Sequence, residues 1–314
     1  VKGRVAYLVE RGRFELREEG VRPLGEREIL VRVGACGICT GDIYAFLGYP
    51  VWYRLPAALG HEPAGVVVDV GPRATRFKPG DRVAVLGGPG YADYVIVDES
   101  YAEPVPPGVP IEHALGEPLA CAVNGVRLAE PKFGDTVAVV GTGFMGLLLV
   151  QALSRMGLDR LAAVDVKEER LELAAEFGAD TLLNPERESP EKLAAEVGGG
   201  FDIVIEATGS PKGVEVATKL ARRRGRLCIF SFHPLPVPVD LAAWDSKGLE
   251  VIMTNPNRAE DMRPNLRLAM RMLGRGVFKM EKLVTHKWPL SEIQAAFEYA
   301  SKKPRDYIKG VIVP

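Results

Sequence analysis

Thr136 to Val166 reads TVAVVGTGFMGLLLVQALSRMGLDRLAAVDV, and this stretch decides the fold. Its uncharged first part, Thr136 to Ser154, is nearly long enough to span a bilayer, which needs about 20 apolar residues. The internal order argues against a span. VAVV is a short β-branched run, GTGFMG is a tight glycine turn, and LLLVQALSRMG has helical length with a charged last turn. Gly141-Thr142-Gly143-Phe144-Met145-Gly146 is therefore a G-x-G-x-x-G between a strand and a helix. A second strand, LAAVDV, ends in Asp165, 24 positions after Gly141. A dinucleotide cradle needs these features: glycines for close backbone approach to pyrophosphate, a helix N-terminus with unpaired N–H groups, and an acid about 20 residues on for the ribose. Asp165 would accept from the ribose hydroxyls and repel a 2′-phosphate, so the pattern predicts NAD over NADP. The competing reading makes Asp165 a surface carboxylate at the start of the ERLELAAEFG helix.

Strand-like runs continue through DTLLN, FDIVIEATG, GRLCIFSF and LEVIMTN, alternating with helical stretches such as GVEVATKLARRR. Six strands with crossover helices predict a doubly wound parallel α/β sheet. Forty Lys plus Arg against 41 Asp plus Glu leave a net charge of −1, so no overall attraction to nucleic acid or an anionic membrane is built in. The partners expected are small molecules. Four scattered cysteines do not make a disulfide scaffold, and the charged N-terminal stretch lacks the apolar core of a signal peptide. These features point to a reducing cytoplasm.

Two of the cysteines, Cys36 and Cys39, stand in a C-x-x-C spacing within GACGICTGD. A redox pair would open a helix inside a βαβ unit, and a structural zinc clip would need a second cysteine pair. The spacing fits neither. It fits a catalytic zinc with three ligands from distant segments and an open fourth position, because ALGHEPAGVVVDVG supplies His61 and Glu62 and ALGEPLACAVNGV supplies Glu117.

In this order, with GTGFMG following, the segments resemble the zinc-dependent medium-chain dehydrogenase/reductase family, in particular its polyol and sugar branch. The resemblance covers essentially the whole chain. It implies a GroES-like β-rich catalytic domain of residues 1–126 and 264–314, with a Rossmann-type nucleotide domain at 127–263 inserted. It implies Cys39, His61 and Glu117 as zinc ligands, Cys36 as a packed neighbour, and Glu62 as a carboxylate on or beside the metal. Asp42 would orient His61. Thr208 and Gly209 of EATG would line the nicotinamide side, and Lys287 of VTHKWPLSEIQAAFEYA would stand near the cofactor phosphates. The activity implied is hydride transfer between NAD and a secondary alcohol, polyol or sugar, with zinc as Lewis acid. A zinc-free reductase of conjugated carbonyls and a non-catalytic nucleotide-binding protein are the competing readings.

The sequence departs from the family pattern twice. KPGDRVAVLGGPGYADYVIVD runs without a cysteine where most relatives carry a structural-zinc lobe, so at most one zinc per chain is expected. The usual proton-relay positions hold Gly41 and Tyr44, leaving Thr40 and Tyr44 as the candidate hydroxyls. Cys121 and Cys228 lie in apolar runs and read as packing residues, and His113 as a helix-start residue. Trp52, Tyr53, His233, Trp244 and Asn255 are candidates to line the substrate cleft. An apolar edge at LEVIMTN predicts a homodimer or homotetramer.

Overall fold

In the computed structural model, which describes residues 1–314, strands are the main regular structure of the first hundred residues. β1 (Lys2–Glu10) and β2 (Arg13–Gly20) form an antiparallel hairpin. β3 (Glu28–Gly37) is buried along most of its length and is followed by α1 (Thr40–Leu47). β4 (Ala57–Ala58), β5 (Pro63–Val70), β6 (Arg82–Val85), β7 (Tyr94–Asp98) and β8 (Ala102–Pro104) follow, then α2 (Gly116–Ala129). β5 pairs antiparallel with β3, with Pro63 opposite Cys36. That register sets the chain just after β3 beside the chain just before β5.

The glycine-turn region folds as its pattern predicts. β9 (Thr136–Val140), α3 (Phe144–Leu153), β10 (Arg160–Val164), α4 (Glu168–Glu176), β11 (Thr181–Leu183), α5 (Pro190–Glu196), β12 (Phe201–Glu206), α6 (Pro211–Leu220), β13 (Ala221–Ile229), α7 (Leu241–Lys247) and β14 (Glu250–Met253) alternate along the chain. The six strands are parallel, in the order β11-β10-β9-β12-β13-β14. The order reverses at β9, and in such sheets ligands bind at the carboxyl ends of the strands there. The expected helix GVEVATKLARRR stops at Leu220, and its basic tail enters β13. The Lys247 ammonium donates to the carbonyls of Thr218, Lys219 and Ala221 at 2.8, 3.0 and 2.7 Å, ending the helix there. No helix is long and apolar enough to cross a membrane.

The chain then returns through α8 (Arg263–Gly274), β15 (Val284–Pro289), α9 (Ile293–Ser301) and β16 (Lys309–Val313). β16 joins the sheet of the first segment, pairing antiparallel with β3 so that Val311 faces Gly37 and Ile312 faces Cys36. Phe297 of α9 packs with Phe14, Phe46 and Tyr91 in this core. Two compact units result, Val1–Ala120 with Arg263–Pro314, and Cys121–Met262. The first division falls within α2, and the second directly before α8. Helix α2 runs unbroken through the division: Gly116 lies against Leu266 and Ala84, Gly125 against Phe230.

Candidate functional site

Cys39 is the N-cap of α1, its Sγ accepting the Gly41 N–H at 3.4 Å. In the loop before β5, Gly60, at φ 93°, turns the chain directly before His61. A Cβ there would lie 2.7 Å from the Tyr91 backbone nitrogen, so this position demands glycine. The turn brings donor atoms of Cys39, His61 and Glu62 within 4.8 Å of one another. Glu117, in the first turn of α2 and half-buried, is not in this group.

His61 is oriented from one side. Its Nδ1 lies 3.2 Å from the Tyr53 hydroxyl and 3.5 Å from Asp42 Oδ1. Asp42 is fully buried, and its other oxygen accepts from the Tyr91 hydroxyl at 2.7 Å. Oδ1 has no hydrogen-bond donor, so a proton on His61 Nδ1 is the group positioned to serve it. That tautomer leaves Nε2 free as a ligand atom. Burial pulls the His61 pKa down, but Asp42 and Cys39 outweigh it and hold it well above the ordinary value. Burial pushes the Cys39 thiol up, against the pull of His61. Both protons are ones a divalent cation would displace. Cys36, fully buried, has its thiol pushed well up by burial and its Sγ lies where Gly90 leaves room.

Glu62 is held by a residue the sequence reading did not single out. Lys309 Nζ lies 2.8 and 2.6 Å from the two carboxylate oxygens and donates to the Ile38 carbonyl at 2.9 Å. Burial pulls the Lys309 pKa down, but Glu62 and Cys39 outweigh it and leave it raised. Lys309 arrives through the β16–β3 register and Tyr91 through a loop return, so neither carries a local motif. A sulfur, an imidazole nitrogen and a carboxylate oxygen, gathered at one point with their partners fixed, suit zinc with an open position. Thr40 opens α1 exposed, and Tyr44 follows one turn later with its ring on Tyr49 at 5.3 Å. Lys287 pairs with Glu112 in the same unit.

In the second unit, the three glycines of the turn differ in what they face. Gly141 has φ 93°, and a Cβ on it would lie 2.6 Å from Thr208 Cγ2. A Cβ on Gly146 would lie 1.8 Å from the Gly141 carbonyl oxygen, so only glycine lets α3 start this close to the strand. Gly143 caps α3 with no side-chain hydrogen bond and faces open space, leaving the helix N–H groups presented. Asp165 Oδ2 accepts from the Thr142 N–H at 2.7 Å and from its hydroxyl at 3.1 Å, while Oδ1 accepts from the Lys167 N–H at 3.0 Å. Thr208 and Gly209 are anchored by buried Glu206, whose Oε1 accepts both N–H groups at 2.7 and 3.0 Å. Its Oε2 meets Ser231 Oγ and lies 3.3 Å from His233 Nε2. Trp244, a cleft candidate by sequence, instead donates its indole N–H to Thr218 and packs on the core of this unit.

Comparison with known proteins points to one family. Residues 25–107 match the family model of the alcohol dehydrogenase GroES-like domain, and residues 145–271 that of the zinc-binding dehydrogenase. An uncharacterized zinc-type alcohol dehydrogenase-like protein of Escherichia coli is 31% identical, over 91% of this chain and 92% of its own length. An erythritol/L-threitol dehydrogenase of Mycolicibacterium smegmatis is 28% identical over 96% of this chain and 94% of its own. Among solved structures, a Sinorhizobium meliloti protein bound to NADP superimposes with a TM-score of 0.87, at 26% identity over 100% of both chains.

Proposed function

The chain belongs to the zinc-dependent medium-chain dehydrogenase/reductase family and is a nicotinamide-dependent dehydrogenase of alcohols and polyols, and from that premise we propose its ligand set, cofactor choice and proton route. Cys39, His61 and Glu62 hold a single catalytic zinc. The gathering of their donor atoms within 4.8 Å carries this reading. Glu117 is a further carboxylate for the same ion, direct or through water. When bound, zinc supplies Lewis acidity that lowers the pKa of the substrate hydroxyl, and the nicotinamide accepts hydride.

The residues of the chain do the positioning. Asp42, with Tyr53 and Tyr91 around it, fixes the imidazole of His61, and Lys309 fixes Glu62. The open N-terminus of α3 receives the cofactor pyrophosphate over Gly143. Asp165 keeps lone pairs for the ribose hydroxyls, and its charge disfavours a 2′-phosphate, so the cofactor is NAD. The Thr40 hydroxyl, with Tyr44 behind it, passes the substrate proton towards solvent. The exposed edge of β14, where Met253 is 46% exposed, is the surface for homo-oligomer formation.

The test is metal analysis of protein purified without added zinc, followed by NAD and NADP reduction against polyols, sugars and simple secondary alcohols. One zinc per chain and a preference for NAD are expected. Cys39→Ser, His61→Ala and Glu62→Gln should lose the metal, and Cys36→Ser should keep it. Zinc lost from Cys36→Ser but kept by Cys39→Ser would overturn the ligand set. A wild type that prefers NADP would overturn the role given to Asp165.

A further inference from the structure

Gly41 is buried two residues after Cys39, and a Cβ placed on it would lie 2.5 Å from Cη2 and 3.1 Å from Cζ2 of Trp52. The tip of the indole thus sits in the space a side chain at position 41 would take. The same ring stands edge-on to His61, with centroids 6.2 Å apart at 69°, and 5.3 Å from the ring of Tyr53. Trp52 therefore reaches from the neighbourhood of one proposed ligand to that of another. It is nevertheless 58% exposed, so space-filling alone does not account for it. A large flat apolar surface left open beside an ion site is what a ligand covers.

Two hydroxylated residues adjoin those in the contact of Gly41 with Trp52, Thr40 directly before Gly41 and Tyr53 directly after Trp52, its ring 5.3 Å from the indole. Thr40 lies exposed at the start of α1, and the Tyr53 hydroxyl lies at His61. An indole face with hydroxylated neighbours suits a carbon chain that carries C–H on one side and O–H on the other. We infer that Trp52 is the specificity-determining residue of the metal site: lodged in the notch left by Gly41, its indole is the wall on which the C–H edges of a polyhydroxylated substrate lie. This rests on the dehydrogenase reading and names the substrate class for it. Glycine at 41 is then required for substrate choice, because any side chain there pushes the indole off its seat.

The experiment compares kcat/KM for xylitol and 2-butanol in the wild type, Trp52→Phe, Trp52→Ala, Gly41→Ala and Gly41→Ala/Trp52→Ala, all as zinc-loaded enzyme with metal content checked. The xylitol-to-2-butanol ratio should fall about 10-fold in Trp52→Ala, the low end for loss of one pocket contact, and less in Trp52→Phe. Gly41→Ala should move the ratio in the same direction, and the double variant should add nothing to Trp52→Ala, since both changes remove one contact. Titration of the zinc-loaded protein with xylitol should quench tryptophan fluorescence in the wild type and not in Trp52→Phe. An unmoved ratio in an active Trp52→Ala, or additive effects at 41 and 52, overturns the inference while leaving the dehydrogenase reading standing. A wild type that oxidises neither alcohol and shows no quenching overturns both.

Discussion

Glu62 at 2% exposure and Lys309 at 4% form an ion pair out of water, and such a pair is costly to break from one side. In metal-free protein, Lys309→Met leaves the Glu62 carboxylate buried without its cation, which should destabilise the fold by about 3–5 kcal/mol. Glu62→Gln on that background removes the stranded charge and should recover part of the loss. Denaturant unfolding of the two variants decides it: no recovery in the double variant would mean that Lys309 acts by packing alone. At this scale the sequence shows candidate donors and conceals their supports. Cys39, His61 and Glu117, the expected ligands, each stand in a short recognisable segment, yet the chain gathers Cys39 and His61 with Glu62 and leaves Glu117 outside that group. Lys309 lies 247 positions from Glu62, and only strand register joins them.

The elements carry a sharper distinction between glycines that look equivalent in the sequence. A methyl group on Gly146 meets a backbone oxygen at 1.8 Å, which cannot yield without moving β9 from α3. On Gly143, at φ −69°, it meets nothing of the protein within 4 Å. Gly146→Ala should therefore lower Tm and weaken NAD binding together, whereas Gly143→Ala should weaken NAD binding at nearly unchanged Tm. Thermal scans beside NAD titration separate them; equal losses of Tm would contradict this division of labour. At the start of β3, Glu28 accepts from Arg22 at 2.6 and 2.7 Å and from the Gly25 N–H at 2.7 Å. The Arg22 bond above all lowers its pKa to about 2. The folded value lies below the unfolded one, so this stabilisation is full above about pH 4.5 and is lost as pH falls through about 2. The Tm gap between wild type and Glu28→Gln should accordingly close across that window. Element type was legible where periodicity ran long, as in the β9–α3 turn and the six parallel strands. It failed at Leu220, where the tail ARRR has helical propensity but Lys247, distant in sequence, takes the helix-end carbonyls.

Across the whole molecule, the order of motifs carries the expectation of two units, but one unbroken helix, α2, gives no local sign of where its packing partners change. The sequence has no cysteine-rich lobe, and the side chains of the proposed site are held by protein partners: Cys39 caps α1, Tyr91 bonds Asp42 and the Gly37 carbonyl, and Lys309 bonds Glu62. Around it Cys36, Ile38, Ile43 and Tyr91 belong to one buried core. The fold should therefore survive metal removal, unlike small domains that are unfolded without zinc. Binding still adds stability by mass action, about 4 kcal/mol at a thousandfold excess of zinc over its Kd. At roughly 2–4 °C per kcal/mol for a chain of this order of size, chelation should lower Tm by about 10 °C. The far-UV circular dichroism should stay native and the transition cooperative, with activity abolished and restored by zinc. Calorimetry and circular dichroism of dipicolinate-treated protein make the measurement. A chelated chain that loses its secondary structure at 25 °C would mean that the ion builds the first unit rather than occupying a site the fold has already made.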